Sequence, residues 1–320
     1  MTLPAPRWAP VPVGAPGLPA RSLSLMSSTA RLSRISLGAT LLLVAVGGFT
    51  RGSGSGYGCS DRWPLCENGL LGGLLPRLEY HMVVEWTHRW VAAVVGLLIL
   101  ATAVSVWRHH RTQAAVVRLA VASVVVVVIQ AWIGRMVVKA DLDADLVALH
   151  LAISMVVVGL LTLVVVATSP VREQVEADRS WTTHLVVAAA GSYVLLLLGA
   201  YVHNMYFSGW PLVGNQLVPE MSNSSTAVHF THRLVAGLGL VYLVYLTVAA
   251  GRIARPATER RLLHLATGAY GLHVVLGAAH VFTEVGSSAL VVGHLLLAAV
   301  VWASLVAASA ISRPATGSVA

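Results

Sequence analysis

THRWVAAVVGL at residues 87–97 returns 144 positions later as THRLVAGLGLV at 231–241. A second pair keeps that offset: LVALHLAISMVVVGLL at 146–161 and LVVGHLLLAAVVWASL at 290–305. Two loop segments echo each other as well, WPLC at 63–66 and WPLV at 210–213. One offset shared by separate segments means that the chain consists of two related halves. Whatever the first half builds, the second half builds again.

Composition says what each half is made of. Of 320 residues, 57% are hydrophobic and 11% charged, against about 25% charged in a soluble domain. Runs apolar enough to cross roughly 30 Å of hydrocarbon lie near 33–50, 82–107, 115–138, 146–169, 183–203, 227–250, 262–282 and 289–311. A bilayer offers no water to the backbone, so each run must be helical. The first run is short, but no small-residue cleavage site follows it, and it reads as a retained span. The expectation is an all-α membrane protein with eight transmembrane helices. Four per half is an even number, so both halves insert in the same sense, as two four-helix bundles related by a pseudo-twofold along the membrane normal.

Basic residues flank alternate ends of these spans. Arg7, Arg21, Arg31 and Arg34 precede the first, Arg108, Arg111 and Arg118 lie around the loop after the second, Arg172 and Arg179 follow the fourth, and Arg252, Arg255, Arg260 and Arg261 follow the sixth. The opposite loops carry Asp141, Asp143, Asp145, Glu220 and Glu284. The positive-inside rule then predicts a cell-membrane protein with both termini cytoplasmic. The net charge of +8 reports this topology and gives no support to nucleic-acid binding. The expected organisation is a disordered cytoplasmic tail at 1–32, with six prolines in its first twenty residues and Met26 as an alternative start. An N-terminal half at 33–169, a linker at 170–182, a C-terminal half at 183–311 and a tail at 312–320 follow.

Cys59 and Cys66, in GCSDRWPLC, fall in the first outside loop. An oxidising compartment favours a disulfide there, with Gly58 and Pro64 helping the loop to turn. No CxxCH is present to attach a haem covalently, and a redox role for the pair stays open.

The repeat also places four histidines. His88 and His150 are 62 residues apart, as are His232 and His294. All sit on helices running from outside to inside, a short way below the outer edge. Helix axes 8–10 Å apart cannot bring two imidazoles onto a small bare ion without close approach. They can hold a flat macrocycle with iron bound from both faces. A lone membrane histidine is more often a packing residue; two pairs at one spacing are a ligand set. Arg89 and Arg233 follow their histidines and either meet haem propionates or snorkel to the interface; Arg135 is a weaker candidate of this kind. His109 and His110 read as solvated loop residues, and His184, His203 and His264 as interfacial. His273 and His280 have no histidine counterparts on the third helix and are set aside, and His229 is left without a role.

GGFTRGSGSGYGCSDRWPLC at 47–66, EWTHR at 85–89, LHL at 149–151, THR at 231–233 and GHLL at 293–296 together resemble the haem A synthase family. This resemblance covers about 34–311. It implies two four-helix bundles, a haem b held by His232 and His294, and substrate haem O facing His88 and His150. The implied reaction oxidises a methyl substituent of haem O to a formyl group, giving haem A for cytochrome oxidase. Glu85 and the cysteine pair fall on family positions of importance, and haem O synthase and an electron donor are implied partners besides membrane lipid. SDRWPLC departs from the family's more usual, shorter PDWPLC-like run, though the cysteine spacing survives.

One asymmetry separates the halves. Glu85 and His88 share a helix face as i, i+3 neighbours, whereas the second half has His229 where the first has Glu85. A carboxylate beside the macrocycle edge can relay protons or stabilise developing charge, so Glu85 is the candidate catalytic residue; its other reading is a partner for Arg89 or a loop amide. A di-haem electron-transfer cytochrome, and a haem transporter or chaperone, also explain four histidines. Neither explains an acid found in one half.

Overall fold

The computed structural model describes residues 20–169, 178–202, 216–221, 223–283 and 286–312, with side chains described from residue 28 onward. Eight α-helices follow one another: α1 Ala20–Gly52, α2 Tyr80–His109, α3 Ala114–Lys139, α4 Ala144–Thr168, α5 Arg179–Val202, α6 Ser224–Arg252, α7 Ala257–Phe282 and α8 Ser288–Ile311. No strand occurs among the described residues. Each helix contains a membrane-crossing span of 24–30 residues. At about 1.5 Å per residue, even the shortest crosses a bilayer's hydrocarbon core. The fold is that of an all-α, multi-pass membrane protein. Helix α1 begins at Ala20, inside the expected tail. The WPLV segment, His203, Arg172 and Glu284 lie outside the described residues.

Local chemistry sets the helix starts on the face that carries the cysteine loop, here the loop face. Asp143, Asn223 and Ser287 cap α4, α6 and α8, each side chain accepting from the backbone N–H three residues on. Such a cap satisfies one of the backbone donors that a helix N-terminus leaves open.

In the packing, α1 lies against α2, α4 and α8, α3 against α2 and α4, and α8 against α5 and α7. Helices α4 and α8 meet at the centre through Met155, Val158 and Ala299. There the Trp302 indole donates to the Met155 carbonyl at 2.8 Å, and Tyr193 of α5 donates to the Ala152 carbonyl at 3.1 Å. Hydroxyl pairs join other helices, Ser36–Thr102 at 2.8 Å and Ser33–Thr168 at 3.0 Å, as expected where lipid removes the hydrophobic drive for association. Large apolar side chains point outward, Leu97 66%, Val128 64% and Leu238 62% exposed. In water such a surface is an aggregation liability; in hydrocarbon it is the solvent face.

At the face opposite the loop, Glu259 is fully buried. It accepts from Trp181 Nε1 at 2.6 Å, from Arg255 Nε and Nη2 at 2.9 Å each, and from the Ser312 hydroxyl. This cluster ties α5, α7 and the end of α8 together. His110 does not stand in solvent as expected from sequence. It is 2% exposed; its backbone N–H caps α2 on the Val106 carbonyl at 2.7 Å, and burial lowers its pKa. His109 is bonded to the Ser105 carbonyl, and His184 to the Tyr242 hydroxyl.

Candidate functional site

Each of the four histidines meets a glycine on the preceding helix. A Cβ on Gly47 would lie 3.2 Å from Cε1 of His88. The same construction gives 3.0 Å for Gly134 and His150, 3.2 Å for Gly199 and His232, and 3.2 Å for Gly277 and His294. Glycine inside a helix costs about 1 kcal/mol relative to alanine, so its placement opposite all four imidazoles answers a packing need. Without the Cβ, an imidazole edge can lie directly on the neighbouring backbone.

Depth repeats as well. His88 and His232 are eight residues into α2 and α6, and His150 and His294 are six into α4 and α8. At about 1.5 Å per residue, all four lie roughly 9–12 Å below the loop face. In all four rings, Nδ1 is buried without a hydrogen-bond partner. An unsatisfied buried polar atom costs about 1–3 kcal/mol, so a fourfold recurrence calls for a bound group. His150 lies within electrostatic range of His88, and His294 of His232, so the rings pair within each half. Among the described residues no three His, Cys, Asp or Glu side chains converge to hold a bare metal ion. Two imidazoles per half, with glycine making room for each, fit a haem.

Glu85 is 3% exposed and has both carboxylate oxygens engaged. Oε2 accepts from the Cys59 backbone N–H at 2.7 Å; Oε1 accepts from Arg89 Nε at 3.1 Å and Nη2 at 2.5 Å. Arg89 Nη1 continues to the carbonyls of Arg62, Pro64 and Leu65 at 2.7, 3.1 and 3.2 Å. The guanidinium thus spans the loop closed by the Cys59–Cys66 disulfide, whose Cα atoms are 4.3 Å apart. Gly58 is obligatory there, since a Cβ would stand 2.1 Å from the His81 carbonyl oxygen. A second tie, Lys139 Nζ to Asp61 Oδ2 at 2.7 Å, joins the loop to the end of α3. The Lys139 ammonium, by hydrogen bond and by charge, holds the Asp61 carboxyl below its ordinary range.

Helix α2 therefore carries, within five residues, an imidazole facing α1 and an acid–guanidinium pair facing the loop. Arg89, expected at a propionate, is spent on Glu85 and three loop carbonyls. Arg233 follows His232 on α6, and the buried His229 occupies the place that Glu85 has on α2. Arg135 lies over the Trp132 ring at 5.0 Å. Sequence reasoning passed over His273 and His280, and the structure sets both rings against His294, with centroids 3.7 and 5.2 Å away. Their i, i+7 spacing astride Gly277 was the available signal.

A family model described as cytochrome oxidase assembly protein matches residues 74–306. The chain belongs to this family. Curated members similar to it include heme A synthase of Shouchella clausii, 32% identical over 75% of this chain and 84% of its own length. Heme A synthase of Symbiobacterium thermophilum is 31% identical, over 79% and 87% respectively. Heme A synthase of Bacillus licheniformis is 30% identical, over 66% and 72%. The family match takes in the EWTHR segment and all four glycine-cradled histidines.

Proposed function

We propose that this protein converts haem O to haem A, oxidising one methyl substituent of the substrate to a formyl group by successive hydroxylations. The observation that carries this reading is the duplicated pair of glycine-cradled imidazoles, in a chain whose relatives are haem A synthases. In this reading the two halves are four-helix bundles related by duplication, in the cell membrane with both termini cytoplasmic and both haem sites toward the outer side.

His232 and His294 would hold a resident haem b in the C-terminal half. Bound there, haem b supplies an iron that takes up and passes on single electrons. His88 and His150 would bind haem O in the N-terminal half and fix the position of its edge. Glu85 lies about one turn from His88, and its charge is balanced by Arg89. We assign it to the substrate side, where a buried carboxylate can accept a proton or offset positive charge near the reacting carbon. Arg89 and the cysteine loop cover this end of α2, excluding water and holding the carboxylate in place. A propionate would reach Arg89 only through N–H groups that the loop leaves over.

Haem extraction from the purified protein tests the reading. Haem A or a hydroxylated haem alongside haem b supports it. Haem b alone, in cells that make haem O, would return the protein to a di-haem cytochrome; haem O that is carried but never oxidised would make it a carrier.

A further inference from the structure

Helix α7 places three residues on one face toward α8: His273, Gly277 and His280, at i, i+4 and i+7. Gly277 receives the His294 ring. His273 lies beside that ring, with centroids 3.7 Å apart and planes tilted by 50°. Its Nε2 is buried and makes no hydrogen bond. His273 also lies within electrostatic range of His232, so it faces the gap that the two expected iron ligands enclose. The His294 ring faces the His273 backbone, yet no hydrogen bond closes on its Nδ1. Two imidazoles, His294 and His273, therefore stand on that flank.

His280 is different. Its ring meets His294 edge-on, centroids 5.2 Å apart, and is engaged by the Leu290 backbone. Two turns nearer the loop face, it braces α8.

We propose that His273 is a third iron-binding imidazole of the C-terminal site, an alternative to His294 opposite His232. Exchange replaces the iron–His294 nitrogen bond by an iron–His273 nitrogen bond, with no change in electron or proton count. His273 lies nine residues from the end of α7, and His294 six from the start of α8. Their depths therefore differ by about 4–5 Å, less than one helical turn. The two serve in turn, since no three histidines converge on one point among the described residues. The N-terminal half has no such reserve: counted from the cradling glycines Gly134 and Gly277, the positions matching His273 and His280 are Gln130 and Val137, and the Gln130 amide donates to the His150 carbonyl at 2.9 Å. A resident haem gains from a second imidazole; a substrate that must leave does not.

This proposal rests on the C-terminal half holding the resident haem, and the experiment separates the two. Full-length His294→Gly, His273→Ile/His294→Gly and His232→Ala proteins would be purified, and haem content and electron paramagnetic resonance recorded with and without added imidazole. We expect His294→Gly to keep a low-spin bis-imidazole signal without added imidazole. The double variant should fall to the level of His232→Ala and recover when imidazole fills the vacated place. A His294→Gly protein already as depleted as the double variant, and rescued by imidazole to the same extent, overturns the proposal. Unchanged low-spin haem in His232→Ala would instead overturn the haem-site reading. If His294→Gly does not accumulate in membranes, His294→Leu keeps the side-chain volume without a nitrogen, and its low-spin signal without added imidazole, set against His273→Ile/His294→Leu, reads the contrast.

Discussion

The first and second halves share their histidines, their glycines and their depth in the membrane, and differ in what surrounds them. Around His88 the N-terminal half builds a polar lid: Glu85 on the Cys59 amide, Arg89 on three carbonyls, a disulfide, and Lys139 on Asp61. Around His294 the C-terminal half puts two more imidazoles, and it fastens its far end with the buried Glu259–Arg255 pair. A duplicated frame keeps whatever both copies need and diverges where their tasks differ. In the proposed reading both copies hold iron. Among the described residues only the first has a buried acid near its histidine pair, under a loop fixed at several points; the second has two extra imidazoles, which in this reading serve retention.

The strongest way to break this contrast is to remove one ligand from each half. His232→Ala should strip the low-spin haem from the purified protein, since His232 is the ligand candidate that lies within electrostatic range of both His294 and His273. His88→Ala should keep that haem and abolish haem A formation. Haem extraction with chromatography reads both outcomes. Loss of resident haem in His88→Ala, with retention in His232→Ala, would mean that the two tasks are assigned to the wrong halves.

Next in size is Glu85→Gln. The amide retains an oxygen for the Cys59 N–H but loses the charge that balances Arg89. If the carboxylate takes part in proton transfer, haem A formation should fall by about 10²–10⁴, while the resident haem spectrum is unchanged. Arg89→Lys keeps a positive charge but cannot reach Glu85 and three carbonyls together. It should lower haem A formation less than Glu85→Gln does. Equal losses would reduce Glu85 to holding the loop.

The eight spans and the four ligand candidates were legible because each rests on a pattern that survives duplication: apolar length for the helices, a constant offset for the histidines. The features unique to one half were harder to read. His273 was set aside because the corresponding part of the third helix has no histidine, so symmetry discarded it. The Glu85–Cys59 bond joins a side chain to a backbone amide 26 residues away, and no residue type signals an amide. The burial of His110 escaped for a related reason, since a His-His-Arg run at a helix end reads as solvated until the fold turns one ring inward. The glycines opposite the imidazoles were visible as letters, but their partners were not.

The cysteine pair should matter less than Glu85. Thiol reagents should fail to label Cys59 and Cys66 in membranes until reductant is added; ready labelling would show an open pair. Cys59→Ser leaves the backbone N–H that Glu85 accepts from, so the carboxylate keeps its place. A disulfide closing so short a loop stabilises toward the lower end of the usual range of about 2–4 kcal/mol. The variant should therefore lose some haem A formation, most visibly on warming, and keep the resident haem.

The smallest effect belongs to Lys139 and Asp61, an exposed pair that water and salt screen. Lys139→Met should leave the resident haem spectrum unchanged, because the tie touches only the loop of the first half. Its effect should appear in the loop's resistance to protease near neutral pH. The dependence on pH follows from the direction of the Asp61 shift. Its pKa is held below the ordinary 3.8 by Lys139, so the folded loop binds a proton less readily than the unfolded chain does. The contribution is therefore complete above that ordinary value and fades as pH falls through the depressed one. Wild type and Lys139→Met should differ at neutral pH and at pH 5, then converge in stronger acid. Added salt should shrink the difference at every pH. A difference that grew on acidification would show that Asp61 has another partner, and that the lid of the first half is fastened elsewhere.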